Sequence, residues 1–193
     1  MRQTPFHDYY TARTLEALSC EDSFIPVYAS ASNKIYPFQI AAADFALRSP
    51  YQKGVVLCDE AGLGKSHEAM LVITQKWLEG RRRVLLAVPN ADLLCQWTAM
   101  MEELYSTPYI VLSTHTQWDA LATEDEPNPF LRDAVVITTY EFAAANENEA
   151  GAVPWDLAVF EEANALSTVY QEGNQQAKAL KRIAGGAFKL LLT

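Results

Sequence analysis

Eight consecutive residues, Asp59-Glu60-Ala61-Gly62-Leu63-Gly64-Lys65-Ser66, have the types and spacing needed to hold a phosphate group. Glycines at 62 and 64 let main-chain N–H groups turn inward and approach an anion closely. A helix starting at this point adds partial positive charge. Lys65 would then reach the outer phosphates of a nucleotide, and Ser66 would offer its hydroxyl to Mg²⁺. The generic G-x-x-x-x-G-K-[S/T] pattern asks for Gly at position 59, where this chain has Asp. The plainer reading is a glycine-rich turn with an incidental Gly-Lys-Ser.

A second candidate site lies about a hundred residues downstream. Trp155-Asp156-Leu157-Ala158-Val159-Phe160-Glu161-Glu162-Ala163-Asn164 reads as an apolar strand ending in two acids. In nucleotide-binding α/β sheets, ligands sit beyond the carboxyl ends of the strands. One acid there can support Mg²⁺, usually through water, and another can orient an attacking water. Neighbouring strand residues point to opposite faces, so both acids serve one site only if the strand is ending. The same geometry argues against a glycosidase pair, whose two carboxyls flank one bond. The plainer reading is two solvated acids at a strand end.

These residues need elements to position them, and the chain supplies an alternating pattern. Val55–Cys58 reads as a strand before the glycine loop, and Ala69/Met70, Ile73 and Trp77 mark the helix after it. Gly80 stops that helix. Val84–Val88 is a strand, and Leu94, Trp97, Met101 and Leu104 mark a helix. Strands follow at Tyr109–Leu112, Val135–Thr139, Leu157–Phe160 and Phe188–Leu192, with a short helix in EFAAANENEA and another over Asn174–Ile183. An acidic, Pro-broken loop spans 124–130. Upstream, Pro37 suits a first helical turn, and Phe38, Ala42 and Phe45 outline that helix's apolar face. Tyr9, Tyr10, Leu15 and Leu18 suggest another short helix in a prefix over 1–35. The strands are continuously apolar, as in a parallel sheet covered by helices on both faces. The fold class is therefore α/β, doubly wound.

Composition narrows the class. The chain has 193 residues, half of them apolar, with 24 acidic against 15 basic residues and a net charge of −9. That is globular composition and points to one domain. No apolar run reaches the ~20 residues of a membrane span, and MRQTPFHDYY has no signal-like apolar core. Cys20, Cys58 and Cys95 lack C-x-x-C spacing, which favours reduced thiols in the cytoplasm. The acidic balance argues against a free-standing nucleic-acid binder. Arg81-Arg82-Arg83 reads as a solvated turn remote from the strand C-termini. Trp77, Trp97 and Trp118 read as core residues, and isolated histidines give no zinc site.

Taken together, the motifs resemble the first RecA-like lobe of superfamily-two (DEAD/DEAH-like) helicases, above all bacterial Swi/Snf-type DNA-dependent ATPases. Asp59–Ser66 is similar to that family's motif I, which carries Asp where generic loops carry Gly. Pro37-Phe38-Gln39 resembles the upstream glutamine motif, implying that Gln39 reads adenine; a Gln amide offers both donor and acceptor. Val88-Pro89-Asn90 through Gln96-Trp97 resembles motif Ia, and Val136-Ile137-Thr138-Thr139-Tyr140-Glu141 resembles motif Ib. Their likeness implies DNA-backbone contacts around Pro89, Asn90, Thr138, Thr139 and Tyr140. Glu161-Glu162-Ala163-Asn164 stands where the family has Asp-Glu-Ala-His, and Leu190–Thr193 resembles the start of motif III.

The resemblance implies a three-layer RecA-like P-loop lobe over 36–193, with a mostly parallel sheet, that ends inside motif III. It implies ATP and Mg²⁺ as ligands, with Lys65, Glu161 and Glu162 as catalytic residues, Asp59 to Ser66 around the phosphates, and Ser66 and Glu161 near the metal. DNA would be a partner of the whole protein, no membrane is implied, and a second RecA-like lobe would supply arginine fingers worth roughly 10³–10⁵ in rate. The 193 residues alone should therefore bind ATP weakly, hydrolyse it poorly and bind DNA poorly. Two departures bear on turnover. Glu161 replaces an Asp, and its extra methylene moves the carboxylate by about 1.5 Å. Asn164 replaces a His that couples the two lobes in the family. The alternative is a degenerate, non-catalytic nucleotide-binding or scaffolding module. A small-molecule P-loop kinase would need an Arg-rich lid, and none is found.

Overall fold

The computed structural model describes residues 35–49, 53–170 and 173–193. The expected helix around Tyr9–Leu18, the prefix to which it belongs, and Cys20 lie outside the described residues, apart from Ile35. Six strands form one sheet in the order β1-β6-β5-β2-β4-β3, and every pairing is parallel. The strands are β1 (Gly54–Leu57), β2 (Arg83–Val88), β3 (Tyr109–Val111), β4 (Ala134–Thr139), β5 (Leu157–Phe160) and β6 (Phe188–Leu192). Parallel neighbours need a crossover between them, and the helices supply it. These are α1 (Pro37–Arg48), α2 (Lys65–Leu78), α3 (Ala91–Leu104), α4 (His115–Leu121), α5 (Tyr140–Ala145), α6 (Glu147–Gly151) and α7 (Gln175–Ile183).

The sheet separates two cores, and strand alternation assigns each side chain to one of them. Val84, Leu86, Val88, Ile137, Val159 and Leu190 pack with α1, α2 and α3 on one face. Leu85, Ala87, Val136, Ala158 and Phe160 pack with α5, α6 and α7 on the other. Helix α2 is buried without a break from Glu68 to Gln75, because it lies under α1 as well as over the sheet. The apolar run of β2 is explained directly, since Val84–Val88 are all fully buried.

Three expectations change. The buried face of α1 is Gln39, Ile40, Ala43 and Ala46, whereas Phe38 and Phe45 are 42% and 59% exposed. Phe38 stacks instead on Tyr36 at 5.7 Å. Strand β1 is at the sheet edge, so Val56 is half-exposed and Cys58 lies outside the core. Helix α4, unexpected from the sequence, is a short turn begun by a capping box between Thr114 and Gln117.

Edge strand β1 leads into the glycine loop, so its attachment to β6 matters for the site. Gly54 pairs with Lys189. It has φ +146°, and an added Cβ would lie 2.3 Å from the Lys189 carbonyl oxygen. That contact is with backbone, which cannot swing aside. Gly54→Ala is therefore expected to lower unfolding free energy by about 2 kcal/mol or more, read as a lower urea midpoint. A midpoint equal to wild type would contradict this packing.

Candidate functional site

The site is built at the strand C-terminal end. Residues 58–64 run from β1 into α2, and Gly64 caps the helix with φ 87°. Its missing side chain is used, because an added Cβ would meet Gln39 Nε2 at 2.5 Å. Gln39 is buried beneath the loop. Its Oε1 accepts the Tyr36 N–H at 3.0 Å, and its Nε2 donates to the Leu63 carbonyl at 2.9 Å. One amide N–H and one lone pair remain beyond these bonds. Lys65 opens α2, and its Nζ donates to the Asp59 carbonyl at 2.7 Å and, more distantly, to that of Glu60 at 3.5 Å. Asp59, Gly64 and Ser66 are half-buried, while Glu60, Ala61, Gly62 and Leu63 are exposed. A small cleft of about 190 Å³ lies beside the loop, lined by Gly64, Ser66, His67, Gln96 and Trp97 among others.

The second acid pair stands where β5 ends. Glu161 N–H still donates to Ala87 O at 3.0 Å, but strand assignment stops at Phe160. Glu162 then takes φ 53°, ψ 49°, the left-handed conformation that costs a non-glycine residue about 1–3 kcal/mol. This kink resolves the alternation problem, because the two acids do not follow one strand. Glu161 is buried, and its Oε2 has no partner. Burial pushes its carboxyl up, and the Glu162 charge adds to this, against the pull of the nearby Trp97 indole and of the Lys65 charge; the balance is upward. Glu162 and Asn164 are exposed.

The expected DNA-facing residues divide by exposure. Asn90 is exposed and caps α3, its side chain accepting the Leu93 N–H, with half-buried Pro89 before it. Thr139 is half-buried and caps α5 by accepting the Phe142 N–H. Thr138 and Tyr140 are buried, which leaves only their main chain for any outside contact. Two groups near the acids escaped the sequence reading. Trp97, read as core, sets its indole near Glu161, and the Tyr140 hydroxyl donates to the Glu161 carbonyl at 2.7 Å. The signal available was position: each lies on a helix leaving a strand C-terminus.

The SNF2-related domain matches residues 38–187, most of the chain. The chain belongs to this family. RNA polymerase-associated protein RapA of Yersinia enterocolitica serotype O:8 / biotype 1B is 31% identical over 134 residues, covering 67% of this chain and 14% of that protein. RapA of Serratia proteamaculans strain 568 is 33% identical over the same length, with the same coverage. The chain thus spans about 14% of the length of these relatives. The Sulfolobus solfataricus SWI2/SNF2 ATPase core in complex with dsDNA superposes with TM-score 0.69 at 18% identity, over 85% of this chain and 32% of that one. The Sulfolobus solfataricus SWI2/SNF2 ATPase core domain superposes with TM-score 0.65, also at 18% identity. At this identity the superposition establishes the shared fold, the expected three-layer RecA-like lobe, whose sheet is parallel throughout among the described residues. Nucleotide binding follows from membership of the SNF2-related family.

Within this SNF2-related lobe, one buried group was not anticipated. Glu68, on the first turn of α2, is fully buried, and neither carboxylate oxygen meets a donor. Its neighbour is the Asp59 carboxyl, so the two acids can hydrogen-bond only when one carries a proton. Burial first, then Asp59, raise Glu68 from 4.5 to about 7 against the opposing charge of Lys65. The folded state holds this proton more tightly than the unfolded chain. Its contribution is therefore complete below about pH 4.5 and is lost as pH rises through about 7. Gln reproduces the protonated shape and keeps a donor toward Asp59. Glu68→Gln is expected to match wild type near pH 5 and to exceed it by about 1–3 kcal/mol at pH 8, measured by urea unfolding at both pH values. Equal stability at pH 8 would refute the buried-acid assignment.

Proposed function

We propose that this chain is the ATP-binding first lobe, spanning 36–193, of an ATP-driven DNA translocase. The observation that carries the reading is the arrangement at the sheet end. A buried carboxylate oxygen, Glu161 Oε2, has no partner and lies within electrostatic reach of Lys65 at the start of the phosphate-loop helix. An unpaired buried carboxylate oxygen is costly and calls for a cation or an ordered water.

The residues fit a nucleotide with a hydrated divalent cation. Lys65 is held by main-chain carbonyls rather than by a carboxylate, so phosphate oxygens can replace weak partners without breaking an ion pair. The loop glycines and the α2 N-terminus would face the same anion. Ser66 and Glu161 would hold Mg²⁺, which when bound supplies positive charge against the phosphate oxygens. Glu162, exposed and kinked out of the strand, would accept a proton from water or orient it. Gln39 would present its remaining N–H and lone pair to adenine while bracing the loop through Leu63. The turns at exposed Asn90 and half-buried Thr139 would meet DNA phosphates, which fix position and not sequence. The likeness to a SWI2/SNF2 core solved with dsDNA supports this partner.

The test uses the protein at native length, with ATP turnover measured with and without duplex DNA. Lys65→Ala is expected to lose both nucleotide affinity and DNA-stimulated turnover, with turnover falling about 10²-fold or more. Glu162→Gln should keep nucleotide affinity and lose turnover by about 10²–10⁴-fold. Binding without turnover in the wild-type protein would instead support a scaffolding module. Wild-type turnover retained in Lys65→Ala would overturn the assignment.

A further inference from the structure

Glu162 is the one non-glycine residue with positive φ among the described residues. An L-residue keeps its φ 53° and ψ 49° only where the surroundings over-determine them. Three consecutive peptide groups supply that constraint. The Glu161 N–H donates to the Ala87 carbonyl at 3.0 Å, which ties the first to β2. The Glu161 carbonyl accepts the Tyr140 hydroxyl at 2.7 Å, which ties the second. The Glu162 carbonyl accepts the Ala165 N–H at 3.0 Å, which ties the third into a short 3₁₀ turn over Ala163–Leu166. The first and third are main-chain bonds of the strand end and of the turn. Only the second depends on a side chain. Tyr140 is 2% exposed, with its ring 6.2 Å from that of Phe160, so the phenol has no room to swing away.

We propose that Tyr140 is a positioning residue whose hydroxyl locks the Glu161–Glu162 peptide in the orientation that requires a left-handed Glu162, and so sets the direction in which the Glu162 side chain leaves the main chain. This inference rests on the reading of Glu162 as the water-orienting acid and deepens it. A planar peptide turns as a unit about the two bonds that flank it, here ψ of residue 161 and φ of residue 162. Turning its carbonyl away from Tyr140 would therefore change φ at Glu162 while the neighbouring residues stay in place. That turn relieves the left-handed cost but leaves a buried carbonyl without a donor. The Tyr140 bond holds the strained arrangement against this relaxation. The Cα–Cβ direction of Glu162 follows from the main-chain atoms on either side of it. A turned peptide thus aims the side chain elsewhere, although no bond reaches the carboxylate itself. Burial, then the Glu161 and Glu162 charges, push ionisation of the hydroxyl up, which keeps it a donor.

The first measurement needs no nucleotide. Urea midpoints are compared for Glu162→Gly and Glu162→Ala, each alone and each combined with Tyr140→Phe, which removes one oxygen and keeps the ring. Glycine carries no left-handed cost, so with Tyr140 in place Glu162→Gly is expected to have the higher midpoint. With Tyr140→Phe the peptide relaxes, glycine keeps only its greater unfolded-state freedom, and the order is expected to reverse. The second measurement follows DNA-stimulated ATP turnover by the native-length protein. Tyr140→Phe is expected to lower kcat about tenfold, with KM for ATP within about twofold of wild type, and to lower it little further when combined with Glu162→Gln. An alanine midpoint at or above that of glycine with Tyr140 in place would overturn the lock, and this comparison stands even if Tyr140→Phe does not fold. A glycine advantage that persists with Tyr140→Phe, or kcat losses that multiply in the double variant, would also overturn it and leave the nucleotide site intact. A wild-type protein that binds nucleotide without turnover would overturn the water-orienting role, and the midpoints would still decide the lock.

Discussion

Parallel pairing governs this molecule, because each strand must leave the sheet at the same end at which its neighbours leave. With all six strands parallel, Leu57, Val88, Thr139 and Phe160 finish on one edge, and the helices that follow begin there. Glycine loop, acid pair and the caps Asn90 and Thr139 are therefore neighbours by topology rather than by sequence. The cost is a sheet buried on both faces, which demands the unbroken apolar runs of β2 and β5. It also demands two separate cores, so that alternate residues of one strand report to different helices. Glu161 continues that alternation by turning its side chain to one core and its carbonyl to a hydroxyl from the other.

Buried acids at such an edge require a reason. Glu68 and Glu161 both lack a full set of donors, and both are raised by burial. They differ in what stands opposite. Glu68 faces the carboxyl of Asp59, the residue that replaces the generic first glycine of the loop. A proton between them satisfies the pair without any ligand. Glu161 faces Trp97 and Lys65, a donor and a cation that both favour the ionised form. A proton can satisfy the first pair unaided, whereas the second acid, though also raised by burial, stands within reach of a cation. Environment separates two chemically identical side chains into two roles.

The strands and most helices were legible because burial on both faces and caps leave marks in the sequence. Val84–Val88 could be little else, and Asn90, Thr139 and Asn174 each precede a helix that they cap. The glycine loop and the acid pair were legible for the same reason, since few contexts place Gly-Leu-Gly-Lys-Ser after an apolar run. What escaped was orientation. Phe38 and Phe45 fit a helical period, yet a period fixes a stripe and not its direction. Small Ala43 and Ala46 win the interface because α1 and α2 pack closely. Trp97 was correctly read as buried, but burial hides the polar edge of an indole, whose acidic neighbour Glu161 is over sixty residues away. Thr138 and Tyr140 share a motif with Thr139, and only strand alternation distinguishes them from it.

The net charge of −9 raises the question of how such a lobe would engage a polyanion. The basic run at 81–83 does not answer it. Arg81 reaches Asp156 at 3.5 Å, Arg83 approaches Asp133 at 3.9 Å, and Arg82 lies over the Trp77 ring at 4.4 Å. All three sit at the start of β2, opposite the end that carries the site. Their role is local, closing the turn after α2 against the β5 and β4 approaches. At the functional end Asn90 is exposed and Thr139 half-buried, while the exposed Glu60 and Glu162 bring negative charge, so phosphate there would be met by hydrogen-bond geometry rather than by net charge. An interface of that kind releases few counterions, so its affinity would be low and only weakly dependent on salt.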